Sequence, residues 1–327
     1  MSNTKTIVIV WNKIYNVFMI KKYKNNSITW VDVEDPTTDE VRTLMMEYGI
    51  NPDIARELQL PTYKEKIVMQ KDYLYLVLHF PAIRHTHKDE TAEQEVDFIV
   101  GKNFIITTRY ESIDALERFA KTFELNTVLK KGLMQDNAGY VLYYMIKELY
   151  RAMSDEVDSI NDNLKQVERH IFKGKEKEMV TEISQVNRDL ISFNHTILTH
   201  RDVLFSLKDL GSKLFDSGFT ENFLKIINEY HRIEKVLYTS IDFLRELRNT
   251  NDSLLSSKQS ETMKIFTVIT FLALPFSVVT DLFQLNTARS PLFVINTDLQ
   301  TVIFVESIIA VAFFIFIVMV PPCHPLG

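Results

Sequence analysis

Two hydrophobic patterns follow one another along the chain. In the first, apolar residues come in alternating or continuous β-branched runs: TIVIVW, VFMI, ITWVDV, YLYLVLHF, VDFIV and FIITTRY. A two-residue period, or a short apolar run bounded by polar residues, predicts strands. Between these runs, Asp35-Pro36-Thr37-Thr38-Asp39-Glu40 has the cap residues and early acids of a helix start. Residues 52–60 and 112–122 read as further helices, so residues 1–132 are expected to form a mixed α/β domain.

From about Asp136 the strand signals stop. Helical patterns run to about His170, from about Glu176 to Lys208, and again from about Thr220, with no proline between Pro81 and Pro275. In the last of these, Leu237, Ile241, Leu244, Leu247 and Leu254 step along one apolar stripe. Without a strong breaker, this helix runs on as a stalk of about 60 residues, or about 90 Å at 1.5 Å per residue. Stalks of this kind usually pack against copies of themselves. The helical domain and stalk are assigned to residues 133–264.

Two long apolar runs close the sequence, IFTVITFLALPFSVVT continuing to about residue 285 and TVIFVESIIAVAFFIFIVMV at 301–320. Each approaches the roughly 20 residues a helix needs to cross a bilayer. The reading is a first transmembrane helix at 265–285, a loop at 286–300, a second transmembrane helix at 301–320 and a tail at 321–327. Arg245, Arg248, Lys258 and Lys264 precede the first span, whereas the loop carries only Arg289. That bias places both termini in the cytoplasm of a multi-pass protein of the cell (inner or plasma) membrane. The first apolar runs, split by Asn12 and Lys13, lack the order of a secretory signal.

Charge sharpens this division. Of the 37 basic and 43 acidic residues, only Asp281, Arg289, Asp298 and Glu306 lie beyond residue 264. A net charge of −6 without a basic tract argues against nucleic acid as a partner. The single cysteine, Cys323, excludes an internal disulfide framework and a multi-cysteine metal site within one chain. The sequence contains no phosphate loop, Gly-x-Ser-x-Gly or His-Glu-x-x-His, and no organic cofactor or enzymatic activity is expected.

Polarity within the first span is ordered. Ser260, Met263, Thr267, Thr270, Leu274, Ser277 and Asp281 follow at alternating steps of three and four, which keeps them on one helix face. Ile265, Val268, Ile269, Leu272, Phe276 and Val279 occupy the others. The stripe covers 21 steps, about 31 Å, close to the hydrocarbon thickness. Two readings stand: the hydroxyls bond back to their own helix and pack against a neighbour, or several copies surround an axis with the stripe lining a pathway. Asp281 favours the second, because it then forms a ring of charge attractive to cations. Its alternative is an interfacial acid in plain solvent.

The stretches ITWVDVEDPTTDEV, YGINPDIARELQLPTYKEKIVMQKDYLYLVLHF, VDFIVGKNFIITT and ETMKIFTVITFLALPF, followed by a C-terminal two-span hairpin, resemble the CorA family of magnesium and cobalt transporters over about residues 28–320. The resemblance implies a homopentameric funnel: a cytoplasmic α/β domain, a long helical stalk, a first span lining the pore and a second forming an outer ring. Where the family has Gly-Met-Asn at the pore entrance, this chain has Gln284-Leu285-Asn286. Asn286 inherits contact with the hydrated cation, and Asp281 is assigned the negative charge that the altered loop Ser290-Pro291-Leu292-Phe293 lacks. The metal-contacting residues are thus Asp281 and Asn286. Met263 and Leu274 are candidates for an apolar constriction, whereas Phe266, off the stripe, reads as packing. No regulatory metal site is transferred, because Lys225-Ile226-Ile227-Asn228-Glu229 offers only Glu229.

The implied activity is passive entry of Mg2+, with Co2+, Ni2+ or Zn2+ as alternative cargo. The expected partners are further copies of the chain, lipid and divalent cations. A zinc transporter or a non-conducting membrane-anchored sensor on the same scaffold are the rival readings. His85-Thr86-His87 reads as an exposed turn, His195 and His200 as surface or packing residues, Cys323-His324 as a tail, and Glu306 as structural.

Overall fold

The computed structural model of the chain describes residues 20–25, 27–81, 93–129, 137–215, 217–284, 307–308 and 310–311. It divides into two units, residues 1–249 and 250–327. Among the described residues of the first, six strands form one sheet: β1 (Ile20–Asn25), β2 (Ile28–Glu34), β3 (Lys66–Met69), β4 (Tyr73–Pro81), β5 (Glu93–Gly101) and β6 (Phe104–Arg109). Their order is β1-β2-β6-β5-β4-β3. Among the described residues, only the β2–β6 pair is parallel.

The helices in chain order are α1 (Thr38–Tyr48), α2 (Pro52–Glu57), α3 (Asp114–Leu129), α4 (Ala138–Phe172), α5 (Glu176–Leu214) and α6 (Ser217–Gln284). The expected start of α1 is a capping box: Thr37 and Glu40 satisfy each other's backbone N–H groups. Gly49 ends the helix at φ 65°, the left-handed conformation that favours glycine.

Side chains alternate between two covered faces. Val31, Val33, Tyr75, Val77, Ile99 and Ile106 pack on Val41 and Leu44 of α1 and Ile54 and Ala55 of α2. On the opposite face, Trp30 meets Phe119 and Phe123 of α3 edge-on, and α4 and α5 lie along β4–β6. Burial on both faces explains why YLYLVLHF is a continuous run. Of the strand read at VFMI, only Ile20 lies within the described residues, where it belongs to β1, whose exposed lysines suit an edge strand. The short β3, half-covered at the other edge, has no alternating signature in KIVM and was not anticipated. TIVIVW lies outside the described residues.

Helices α4, α5 and the first half of α6 pack together. Phe219, Phe223, Ile226, Tyr230, Ile233, Leu237, Leu244 and Leu247 form the buried side of α6. Ser240 Oγ donates to Asn161 Oδ1 of α4 at 2.6 Å. At the α5–α6 turn, Gly211 is needed for space, since a Cβ there would collide with the Phe219 ring.

A buried ion pair joins β2 to β6. Arg109 Nη2 lies 3.2 Å from Asp32 Oδ2 and 3.1 Å from Glu34 Oε2. Thr107 Oγ1 donates to Asp32 Oδ1 at 2.7 Å and accepts from Trp30 Nε1 at 2.9 Å. Removing the guanidinium strands a carboxylate in the interior, which typically costs about 3–5 kcal/mol. Arg109→Leu is therefore expected to destabilise the chain by about that amount in chemical denaturation of the detergent-solubilised protein. The double variant Arg109→Leu/Asp32→Leu should lose clearly less, because no buried charge is left unpaired.

Candidate ion pathway

The second half of α6 carries the polar stripe. From Ser256 to Phe271 every residue of the helix is exposed in the single chain. Met263 and Leu274 are 59 % and 53 % exposed, and Ile265, Phe266, Ile269 and Val278 are open to a similar degree on the other faces. This helix is long and apolar enough to cross a membrane, with a mean hydropathy of 1.4 over its most apolar window. Asp281 and Gln284 belong to the same helix by backbone, and their side chains lie outside what the structure describes. Leu285, Asn286 and most of the expected second span also lie outside the described residues; Ser307, Ile308, Ala310 and Val311 are helical.

The hydroxyls of the stripe are tied to their own backbone. Thr267 Oγ1 donates to the Met263 carbonyl and Thr270 Oγ1 to the Phe266 carbonyl, each at 2.8 Å, and Ser277 Oγ donates to Ala273 at 3.3 Å. This is the back-bonding half of the sequence expectation. It does not exhaust the groups, since a hydroxyl has one proton and two lone pairs. With the proton committed, each oxygen presents acceptor capacity outward. Pro275 interrupts the backbone ladder one turn before Val279, because it has no N–H to donate.

The α/β domain holds a second concentration of titratable groups. His79 Nδ1 is 3.3 Å from Glu65 Oε1, and its Nε2 is 3.4 Å from Glu95 Oε2 and 2.8 Å from the Thr62 carbonyl. Glu95 also accepts from the backbone N–H and the hydroxyl of Thr62 at 2.7 and 2.8 Å. Thr108 Oγ1 donates to Asp97 Oδ2 at 3.1 Å. Burial opposes charge on His79, but Glu65 and Glu95 outweigh it and push the imidazole up to about 10. Burial and the neighbouring Glu95 raise Asp97 well above the usual carboxylate range. Despite burial, hydrogen bonds from His79 and Thr199 bring Glu65 down to about 2.

His200 is buried between Tyr150 Oη at 2.7 Å and the His79 carbonyl at 2.6 Å, and burial lowers it to about 4. His195, exposed, lies 3.5 Å from Glu93. Among the described residues no three His, Cys, Asp or Glu side chains are arranged to hold a metal ion. His85 and His87 lie outside them. Sequence reading passed over His79, Glu65, Glu95 and Asp97. The available signal was the three acids of EQEVDFIV, Glu93, Glu95 and Asp97, which alternate along a strand buried on both faces.

The sign of the pH effect follows from these shifts. A histidine raised from 6.5 to about 10 contributes stability that is complete below pH 6.5 and lost as pH rises to about 10. The raised Asp97 also loses its contribution as pH rises, whereas Glu65 matters only below pH 4.5. Thermal melts of the wild type and His79→Gln should therefore differ most near pH 6 and converge towards pH 10.

Comparison with known proteins agrees with this architecture. The family described as "CorA-like Mg2+ transporter protein" matches residues 25–320. The cobalt/magnesium transport protein CorA of Methanocaldococcus jannaschii is 21 % identical over 272 residues, covering 83 % of each chain. That of Thermotoga maritima is 23 % identical over 283 residues, 85 % of this chain and 79 % of its own. The complete structure of the CorA magnesium transporter from Methanocaldococcus jannaschii has the same fold, with a TM-score of 0.75, 20 % identity and coverage of 91 % of this chain and 92 % of that one. The α/β domain, the long final helix and its apolar segment thus belong to a chain that is a member of the CorA-like Mg2+ transporter family.

Proposed function

We propose that this protein is a passive channel for divalent cations, with Mg2+ as its principal cargo, formed by several copies whose α6 stripes face a common axis. The observation that carries this reading is the stripe itself: Thr267, Thr270 and Ser277 have their protons bound to the backbone and their oxygens turned outward. Such a surface accepts hydrogen bonds and offers none. Water in the first shell of a cation directs its protons outward, so a hydrated cation is the complementary guest. Mg2+ gives up its water reluctantly, and outer-shell recognition removes the need to strip it.

One helix cannot close a path, and a homopentamer of the kind the sequence resemblance implies supplies the enclosure. In it, α6 is the inner ring, residues 301–320 form the outer ring, Asp281 and Asn286 sit at the entrance with Gln284 and Leu285, and Met263 and Leu274 narrow the pore. A hydrophobic constriction of this kind gates by dewetting. Inward movement is driven by the membrane potential, about 4.6 kcal/mol per 100 mV for a divalent ion. The names of the relatives, cobalt/magnesium transport proteins, support this cargo class. The changed entrance, Gln284-Leu285-Asn286, favours one second reading, in which the same scaffold prefers Zn2+.

Proteoliposomes containing a magnesium-sensitive dye test both. Under an inside-negative potential, Mg2+ uptake should rise with the potential and fall at least fivefold in Asp281→Ala. Thr270→Val, which keeps shape and removes the acceptor, should slow uptake about two- to fivefold, an effect of up to about 1 kcal/mol as expected for one hydrogen-bonding group. Zn2+ uptake without Mg2+ uptake would select the second reading. No flux of any divalent cation from folded oligomers would overturn both.

A further inference from the structure

Away from the stripe, a groove between α5 and the first half of α6 encloses about 280 Å3 and is lined by Ile183, Ser184, Asn187 and Arg188 of α5 and by Ile241, Leu244, Arg245 and Arg248 of α6. Its composition is uneven. Ile183 and Leu244 are buried and, with Ile241, form an apolar floor, and three guanidinium groups stand at the rim. Arg245 and Arg248 share a helix face because they are three residues apart. Arg188 reaches the same space from the other helix.

The charge in the groove is largely uncompensated. Arg245 Nη1 pairs with the exposed Asp242 Oδ1 at 2.6 Å. Arg188 Nη2 donates to the neutral Gln185 Oε1. Among the described residues neither Arg188 nor Arg248 has a carboxylate within ion-pair distance. Two unneutralised guanidinium groups and a third shared one thus converge on one small cavity, in a chain whose net charge is −6. Like charges brought together repel, and an anion in the groove removes that cost. Guanidinium forks match phosphate oxygens in bidentate geometry, and the Asn187 amide and Ser184 hydroxyl add neutral donors.

We propose that this groove binds an anion bearing two linked phosphoryl groups, clamped by Arg188 from one helix and by Arg245 and Arg248 from the other. The cavity is near the lower end of small-molecule sites, and two phosphoryl groups match the two free guanidinium charges. The remainder of an organic diphosphate lies against Ile183, Ile241 and Leu244. A phospholipid headgroup carries a single phosphodiester rather than two linked phosphoryl groups, so the occupant is a soluble diphosphate. The inference does not rest on the transport reading and survives a failed flux assay.

Inorganic pyrophosphate is titrated calorimetrically into the full chain in nanodiscs of neutral lipid, in magnesium-free buffer at low salt. The expected result is saturable binding of one pyrophosphate per chain, weakened at least tenfold in 0.5 M KCl and in Arg188→Gln and Arg248→Gln, with Lys258→Gln unchanged. Arg248→Lys, which keeps the charge but loses the fork, should fall between. Anionic-lipid nanodiscs should leave the pyrophosphate signal of the wild type in place. An absence of saturable binding in neutral nanodiscs, or binding that survives both arginine substitutions in chains with unchanged circular dichroism, would overturn the proposal.

Discussion

A helix that is apolar on most of its surface and carries one face of hydroxyls has no single solvent that suits it. Hydrocarbon accepts the isoleucines and phenylalanines of α6 but offers nothing to the outward oxygens of Thr267, Thr270 and Ser277. Water suits the oxygens and not the rest. The single chain leaves this segment exposed all round. The conflict is resolved when the polar faces of several copies turn towards each other and the apolar faces turn towards lipid, and the enclosed space is then polar by construction. On the proposed reading, assembly and conduction become one requirement rather than two.

Within the first unit, the early part of this helix is packed. The buried face of α6 is fixed against α4 and α5 through Phe219, Phe223, Tyr230 and Leu237, and Ser240 adds a polar tie. The sheet beneath is held by interactions that do not tolerate loss of one partner, the Asp32–Arg109 pair on one face and the His79 network on the other. Burial of such groups adds little net stability compared with apolar packing, but it penalises any arrangement in which they separate.

Much of this was legible in the residues. The collapse of charge beyond residue 264, the three-and-four spacing from Ser260 to Asp281 and the β-branched runs of β2, β4, β5 and β6 each reflect one local rule, burial or exposure on a fixed period. The family resemblance read from ordered stretches was met by the match over residues 25–320. What escaped was non-local. The edge strand β3 exists because β4 offers it a partner, not because KIVM has a strand pattern. His79 looks like one more residue of an apolar run until Glu65, from a loop, and Glu95, from the next strand, are brought to it. The arginine groove needs α5 beside α6, a juxtaposition that no helical period encodes.

The central claim is that one face of α6 meets water within the membrane while its other faces do not. The most direct measurement is thiol accessibility in a Cys323→Ser background, with single cysteines placed along the helix of the reconstituted protein and exposed to a charged, membrane-impermeant thiol reagent. Cysteines at Thr267, Thr270 and Ser277 should be modified quickly, and cysteines at Val268, Leu272 and Val279 slowly or not at all. Equal reactivity around the helix, or faster modification of the second set, would contradict a water-filled path along the stripe.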